Sequence, residues 1–148
     1  MNRLDIVVGT VTGTALSISR YLKKQLDGKL EVYVHEYPCF DDILSNNPSF
    51  LLFCVSNTGV GELPPSMRKM FVQLTEQKRD LSGIEYLLIN LGDSSFKTFA
   101  QSGVTLNNAL QQCNATNLDD TLVIDAMHDR YPRQTALDWL NVMLKMHG

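Results

Sequence analysis

The chain has 148 residues, 44% of them hydrophobic, and a formal charge of −3, which suits one soluble globular domain able to bury a core without disulfides or metals. That balance argues against the clustered Lys and Arg footprint of a nucleic-acid binder, and no apolar run is long enough to span a bilayer. Cys39, Cys54 and Cys113 form neither a CxxC pair nor a zinc spacing, so a reducing, cytoplasmic setting is expected.

Strand and helix signals alternate along the chain. Residues 4–9 form a near-continuous apolar run, as expected of a parallel strand covered on both faces. Leu16, Ser19, Leu22 and Leu26 then fall on one helical face, which stops at Asp27-Gly28. Residues 30–37 alternate Val32 and Val34 against Glu31, Tyr33 and His35, the pattern of a half-exposed strand closed by Pro38. Residues 41–44 suggest a single helical turn before the loop signal Asn46-Asn47-Pro48.

A third, central strand is expected at residues 50–55. Pro64-Pro65 suit a helix's first turn, after which Met67, Met70, Phe71 and Leu74 share one face. Residues 84–91 read as a fourth strand, and Leu106, Ala109, Leu110 and Cys113 as the next helix. Residues 121–125 read as the fifth strand. Ala136, Leu137, Leu140, Met143 and Leu144 mark the last helix. Five strands in alternation with helices imply one α/β domain over residues 1–148, a doubly wound parallel sheet with helices on both faces. Right-handed crossovers favour the strand order 2-1-3-4-5.

Three Gly/Ser/Thr-rich turns follow the first, third and fourth strands and lie at the sheet edge where open α/β sheets bind ligands. In the first, Gly9 and Gly13 allow a tight turn, and Thr10, Thr12 and Thr14 add hydroxyls to the free amides of a helix start, a combination that binds anions. The turn also fits an ordinary strand–helix connection with a Thr cap. In the second, Gly59 and Gly61 permit backbone angles closed to other residues. In the third, Phe96 offers a face for an aromatic ring, or else tucks onto the core. Together the turns point to a ligand with a phosphate tail and a planar ring, a mononucleotide.

The motifs Gly9-Thr10-x-Thr12-Gly13-Thr14, Ser56-x-Thr58-Gly59-x-Gly61-Glu62-x-Pro64 and Leu91-Gly92-Asp93-Ser94-Ser95-Phe96-x-x-Phe99 closely resemble the three FMN loops of flavodoxins, and the resemblance runs essentially end to end. Within that family it is nearest the short-chain MioC/YqcA type. Flavodoxins are themselves a type example of the 2-1-3-4-5 order, so that agreement is not independent support. The resemblance implies that Thr10, Val11, Thr12, Gly13, Thr14 and Ala15 bind the FMN phosphate. It implies that Ser56, Asn57, Thr58, Gly59, Val60 and Gly61 flank one face and edge of the isoalloxazine. Leu91, Gly92, Asp93, Phe96 and Phe99 would cover the other. The family often has Trp or Tyr where Thr58 stands, Tyr where Phe96 stands and a hydroxyl where Ala15 stands. The first difference removes an aromatic contact worth about 1 kcal/mol.

A flavodoxin-like chain is expected to carry single electrons, taking them from a flavodoxin or ferredoxin reductase and passing them to a metabolic enzyme, as a monomer and without being an enzyme itself. The Gly59 carbonyl is expected to turn and accept the proton that the flavin gains on one-electron reduction. Asp93 and Glu62, with no cation inside the three loops, are expected to disfavour the anionic, fully reduced ring by kilocalories. The competing readings are an FMN-dependent NAD(P)H:quinone-type reductase and a flavin-free interaction module of the same fold. His35, His128 and His147 are scattered, so no metal site is expected. Cys54 and Cys113 read as small buried hydrophobes and Cys39 as the exposed cysteine. Trp139 reads as packing. Lys23, Lys24, Arg68, Lys69, Lys78 and Arg79 read as solvated helix faces, one of which could dock a partner.

Overall fold

The computed structural model describes residues 2–58 and 61–148. Strand β1 (Arg3–Gly9) leads into helix α1 (Thr14–Leu26), and β2 (Glu31–His35) follows the Asp27-Gly28 stop. A short helix α2 (Phe40–Ile43) runs on into a 3-10 turn, Leu44–Asn46, before β3 (Phe50–Ser56). Pro65 opens a second 3-10 turn that continues as α3 (Arg68–Thr75). Then come β4 (Glu85–Gly92), α4 (Gln101–Gln112), β5 (Thr116–Asn117), β6 (Leu122–Asp125) and α5 (Pro132–His147).

All described strand pairings are parallel, in the order β2-β1-β3-β4-β5, with β6 also on β4. The strand expected at residues 121–125 is β6, and a further short strand, β5, shares its side of β4. Thr116 and Asn117 pair with Glu85 and Tyr86 at the start of β4, and β6 pairs with residues 89–92 at its end. The polar residues Asp119 and Asp120 stand in the gap between them.

Period-two alternation divides the sheet's apolar side chains between two cores. Leu4, Ile6, Val8, Leu52, Cys54, Leu87 and Ile89 face Ile18 and Leu22 of α1 and Leu140 of α5. Val7, Leu51, Phe53, Val55, Tyr86 and Leu88 face Phe40 of α2, Met70 and Leu74 of α3, and Leu106 and Leu110 of α4. Truncating any of these fully buried leucines to alanine would cost about 2–5 kcal/mol. Trp139 packs partly buried against the first core.

Cys39 corrects the sequence expectation: it is buried, as are Cys54 and Cys113. Its sulfur receives a 3.6 Å contact from the Gln73 amide, which also accepts the Phe40 N–H at 2.8 Å. Burial pushes the Cys54 thiol up to about 12, so it stays protonated and unreactive.

Strand register sets the loops level with one another. Gly9 lies opposite Val55, Ser56 opposite Leu91, and Gly92 opposite Asp125. The turns after β1, β3, β4 and β6 therefore leave the sheet along a single edge. Among the described residues no helix is long and apolar enough to cross a membrane.

Candidate functional site

Along that edge lies a cleft of about 340 Å³, lined by Val11, Thr12 and Thr14 of the first turn, Ser56, Asn57 and Thr58 of the second, and Leu91, Gly92, Asp93 and Phe96 of the third. A volume of this size falls at the small end of ligand pockets. The fold thus brings together residues of three loops that are far apart in the chain. Ala126, just after β6, completes the lining.

The first turn is built to leave donors unused. Gly13 adopts the left-handed conformation, φ 94°, at the cap position of α1, and no side chain caps the helix. The Gly13 N–H instead donates to Thr10 Oγ1 at 2.9 Å, folding the turn on itself. The Thr12 and Thr14 hydroxyls lie 3.5 Å apart and are exposed. The first amides of α1 lack intrahelical acceptors by construction and sit at the positive end of its dipole. Ala15 can take part through its backbone alone: its side chain is buried in the first core and its carbonyl accepts the Ser19 hydroxyl at 2.8 Å.

The second turn is cross-linked rather than open. The Asn57 amide nitrogen donates to the Thr58 and Thr98 carbonyls, both at 2.8 Å, and its oxygen accepts the Ser102 N–H at 2.8 Å. Its backbone N–H donates to Leu91 O at 2.8 Å. Thr58 closes the turn through three further bonds: its hydroxyl accepts Glu62 N–H at 2.9 Å, its carbonyl accepts Gly61 N–H at 3.0 Å, and its own N–H donates to Glu62 O at 3.3 Å. Gly61 has φ 82°, and a Cβ there would fall 2.7 Å from Thr98 Cβ, so both backbone angle and space demand glycine. Gly61 itself is buried and does not line the cleft. Gly59 and Val60 lie outside the described residues.

In the third turn the Asp93 carboxylate accepts the Ser95 N–H at 2.9 Å and the Ser95 hydroxyl at 2.6 Å, capping its own turn. Phe96 is 50% exposed, its ring at the cleft rather than in the core. Phe99 points elsewhere. Its ring lies over Gly92, where a Cβ would meet it at 2.8 Å. Lys97, between them, is an exposed cation just beyond the loop boundary set from the sequence.

The Flavodoxin family profile matches residues 6–139. The chain belongs to the flavodoxin family. It is 32% identical over 141 residues to flavodoxin YqcA of Pectobacterium carotovorum, covering 95% of this chain and 93% of that one. It is 25% identical to the protein MioC of Escherichia coli K12, over 95% of each chain. A single-residue mutant of a Pseudomonas aeruginosa flavodoxin superposes with a TM-score of 0.86 at 27% identity, over 95% of both chains.

Several residues that shape the site of this flavodoxin-family chain were not singled out in the sequence. Buried Asn90 accepts the Gly103 N–H at 2.8 Å, and its amide lies 3.4 Å from the Ser102 hydroxyl, which holds the start of α4 against β4. A Cβ on Gly103 would fall 2.3 Å from the Asn90 oxygen. The signal was a polar residue inside an apolar strand, which must find partners when buried. Asp125 accepts Ser94 N–H at 3.1 Å and Met127 N–H at 2.9 Å, while Ala126 N–H donates to Gly92 O at 2.8 Å. Burial raises the Asp125 pKa, but the Ser94 side chain and the two amides outweigh it and hold the carboxyl below its usual range. Exposed His128 stands 3.7 Å from it.

Proposed function

We propose that the chain binds FMN in this cleft and works as a single-electron carrier between a flavodoxin or ferredoxin reductase and a metabolic acceptor enzyme. The observation that carries the reading is the convergence of the three loops on one cleft whose donors suit a phosphate at one end and a flat ring at the other. FMN, when bound, supplies one-electron transfer.

The free amides of α1 with the Thr12 and Thr14 hydroxyls would hold the phosphate; this donor set is neutral, so the helix dipole supplies the attraction. Thr10 shapes that turn through its bond to Gly13. Phe96 would cover one flank of the ring, and Ser56, Asn57 and Thr58 the other. Exposed Val11, Phe96 and Met127 leave apolar surface round the cleft, which suits a brief encounter with a partner.

The test is to purify the chain, record its flavin absorbance and titrate the flavin-free form with FMN and with riboflavin. FMN is expected to bind more tightly than riboflavin, and NADPH to reduce the protein only when a reductase is added. A chain that takes up neither flavin would be an interaction module of this fold. Steady NAD(P)H oxidation with a quinone and no reductase would make it an enzyme instead.

A further inference from the structure

A groove of about 910 Å³ runs between the C-terminal half of α1 and β2, lined among others by Arg20, Lys23, Lys24, Lys29 and Tyr33. Arg20, Lys23, Lys24 and Asp27 recur at the spacing of one helical face, turned to the groove. Some of the charge is already matched. Arg20 pairs with Glu36, and Arg3 pairs with Asp5 while lying 3.9 Å over the Tyr33 ring. Lys23, Lys24 and Lys29 enter no ion pair among the described residues. Set against Asp27 and Glu31 in the same lining, these three lysines leave the groove a net excess of one positive charge on a chain whose net charge is −3.

The groove's floor is the edge of a sheet. Among the described residues β2 pairs only with β1, so its outer N–H and C=O groups are unpaired by any strand. Such an edge is a template for another strand. Lysines beside it discourage pairing with another copy of the same basic edge, and the same lysines favour a strand carrying carboxylates.

We propose that this groove docks an extended acidic segment of a partner protein, which adds to the outer edge of β2 with its carboxylates against Lys23, Lys24 and Lys29. A polynucleotide suits it less. The edge offers C=O as well as N–H groups, which a peptide backbone matches and a sugar–phosphate backbone does not, and Asp27 and Glu31 interrupt the lysines, which suits spaced carboxylates better than a continuous run of phosphates. Helix α1 opens at the flavin cleft and its 13 residues span about 20 Å to this end. A partner held here leaves the cleft uncovered, so the surface tethers rather than exchanges electrons.

The experiment titrates a fluorescein-labelled peptide of alternating glutamate and threonine with the full chain, following anisotropy at ionic strengths of about 0.05 M and 0.15 M. Saturable binding that weakens with salt is expected. The pair Lys23→Glu and Lys24→Glu should weaken it at least about tenfold. The pair Arg68→Glu and Lys69→Glu, an equal charge change elsewhere, should weaken it less than about threefold. The same peptide N-methylated at alternate amides keeps its charge and should also bind about tenfold more weakly. Circular dichroism and FMN titration of the variants establish that they fold and keep the separate cleft. Absent saturation, equal losses in both charge variants, no effect of methylation, or tighter binding of a single-stranded oligonucleotide of equal charge would each overturn the proposal.

Discussion

Around the cleft, and among the described residues, the hydrogen bonds of residues 10–14 stay within their own turn and α1, whereas residues 56–58, 61–62 and 91–96 are tied to each other, to α4 and to the turn after β6. The difference follows from what each part would hold. An anion needs donors that nothing else has claimed, so the first turn is capped by glycine and its Thr12 and Thr14 hydroxyls are left at the surface. A flat ring needs walls that do not collapse together, so Asn57, Asn90 and Asp125 hold the other two turns at fixed positions. One end of the cleft is open chemistry and the other is fixed geometry.

The largest effect should come from Asn57→Ala, because one carboxamide makes three of the bonds that hold the wall. At about 0.5–1.5 kcal/mol for each bond, the loss should be about 2–4 kcal/mol in urea unfolding, with weaker FMN and riboflavin binding alike. A loss below about 0.5 kcal/mol, the size of an ordinary surface change, would show that the wall stands without it.

Thr12→Ala with Thr14→Ala should behave in the opposite way. Both hydroxyls are exposed and, among the described residues, bond only to each other, so unfolding should shift by less than about 0.5 kcal/mol. FMN affinity should fall about tenfold or more, since hydrogen bonds to charged groups are worth about 1.5–3 kcal/mol. Riboflavin, which has no phosphate, should bind unchanged. An equal loss for both flavins would place these threonines elsewhere than at the phosphate.

This contrast also separates what was legible in the sequence from what was not. Strand order and the common loop edge follow from local signals: apolar runs such as residues 50–55, and turns rich in Gly and Thr directly after them. The Asn57 network does not, since its partners Thr98 and Ser102 lie more than forty residues away and nothing near Asn57 marks them. Cys39 looked exposed beside Pro38 because Gln73, the residue packed over it, belongs to a distant helix. The additional strand β5 escaped for a related reason. Two residues, Thr116 and Asn117, carry no periodicity, and only β4 reveals that they pair. Ala15 and Phe99 carried family positions, yet local packing turns the first into the core and lays the second over Gly92.

Asp125 tests the wall through pH. Its carboxyl is held below the usual range when folded, by donors that outweigh its burial. Its contribution is therefore present above the unfolded value of about 3.9 and lost as pH falls through the folded value. The stability difference between the native chain and Asp125→Asn should be constant above about pH 5 and shrink below about pH 4. A difference that stays flat through the acid range would remove Asp125 from the clamp.

The smallest effect belongs to Asp93, and here the geometry revises the size expected from the sequence. A carboxylate facing a reduced ring in a dry site would cost kilocalories. Asp93 is instead half-exposed, and one of its oxygens is engaged by the Ser95 N–H and hydroxyl. Exposed Lys97 stands four residues on and adds the opposite sign to the same loop. Screened charge pairs at a surface are worth about 0.2–1 kcal/mol, so Asp93→Asn should raise the potential of bound FMN's second electron by about 10–40 mV. Lys97→Gln should lower it by a comparable amount. A spectroelectrochemical titration of both variants separates the two signs. If the potential is unmoved in both, charge at this wall does not reach the ring, and the wall acts by shape alone.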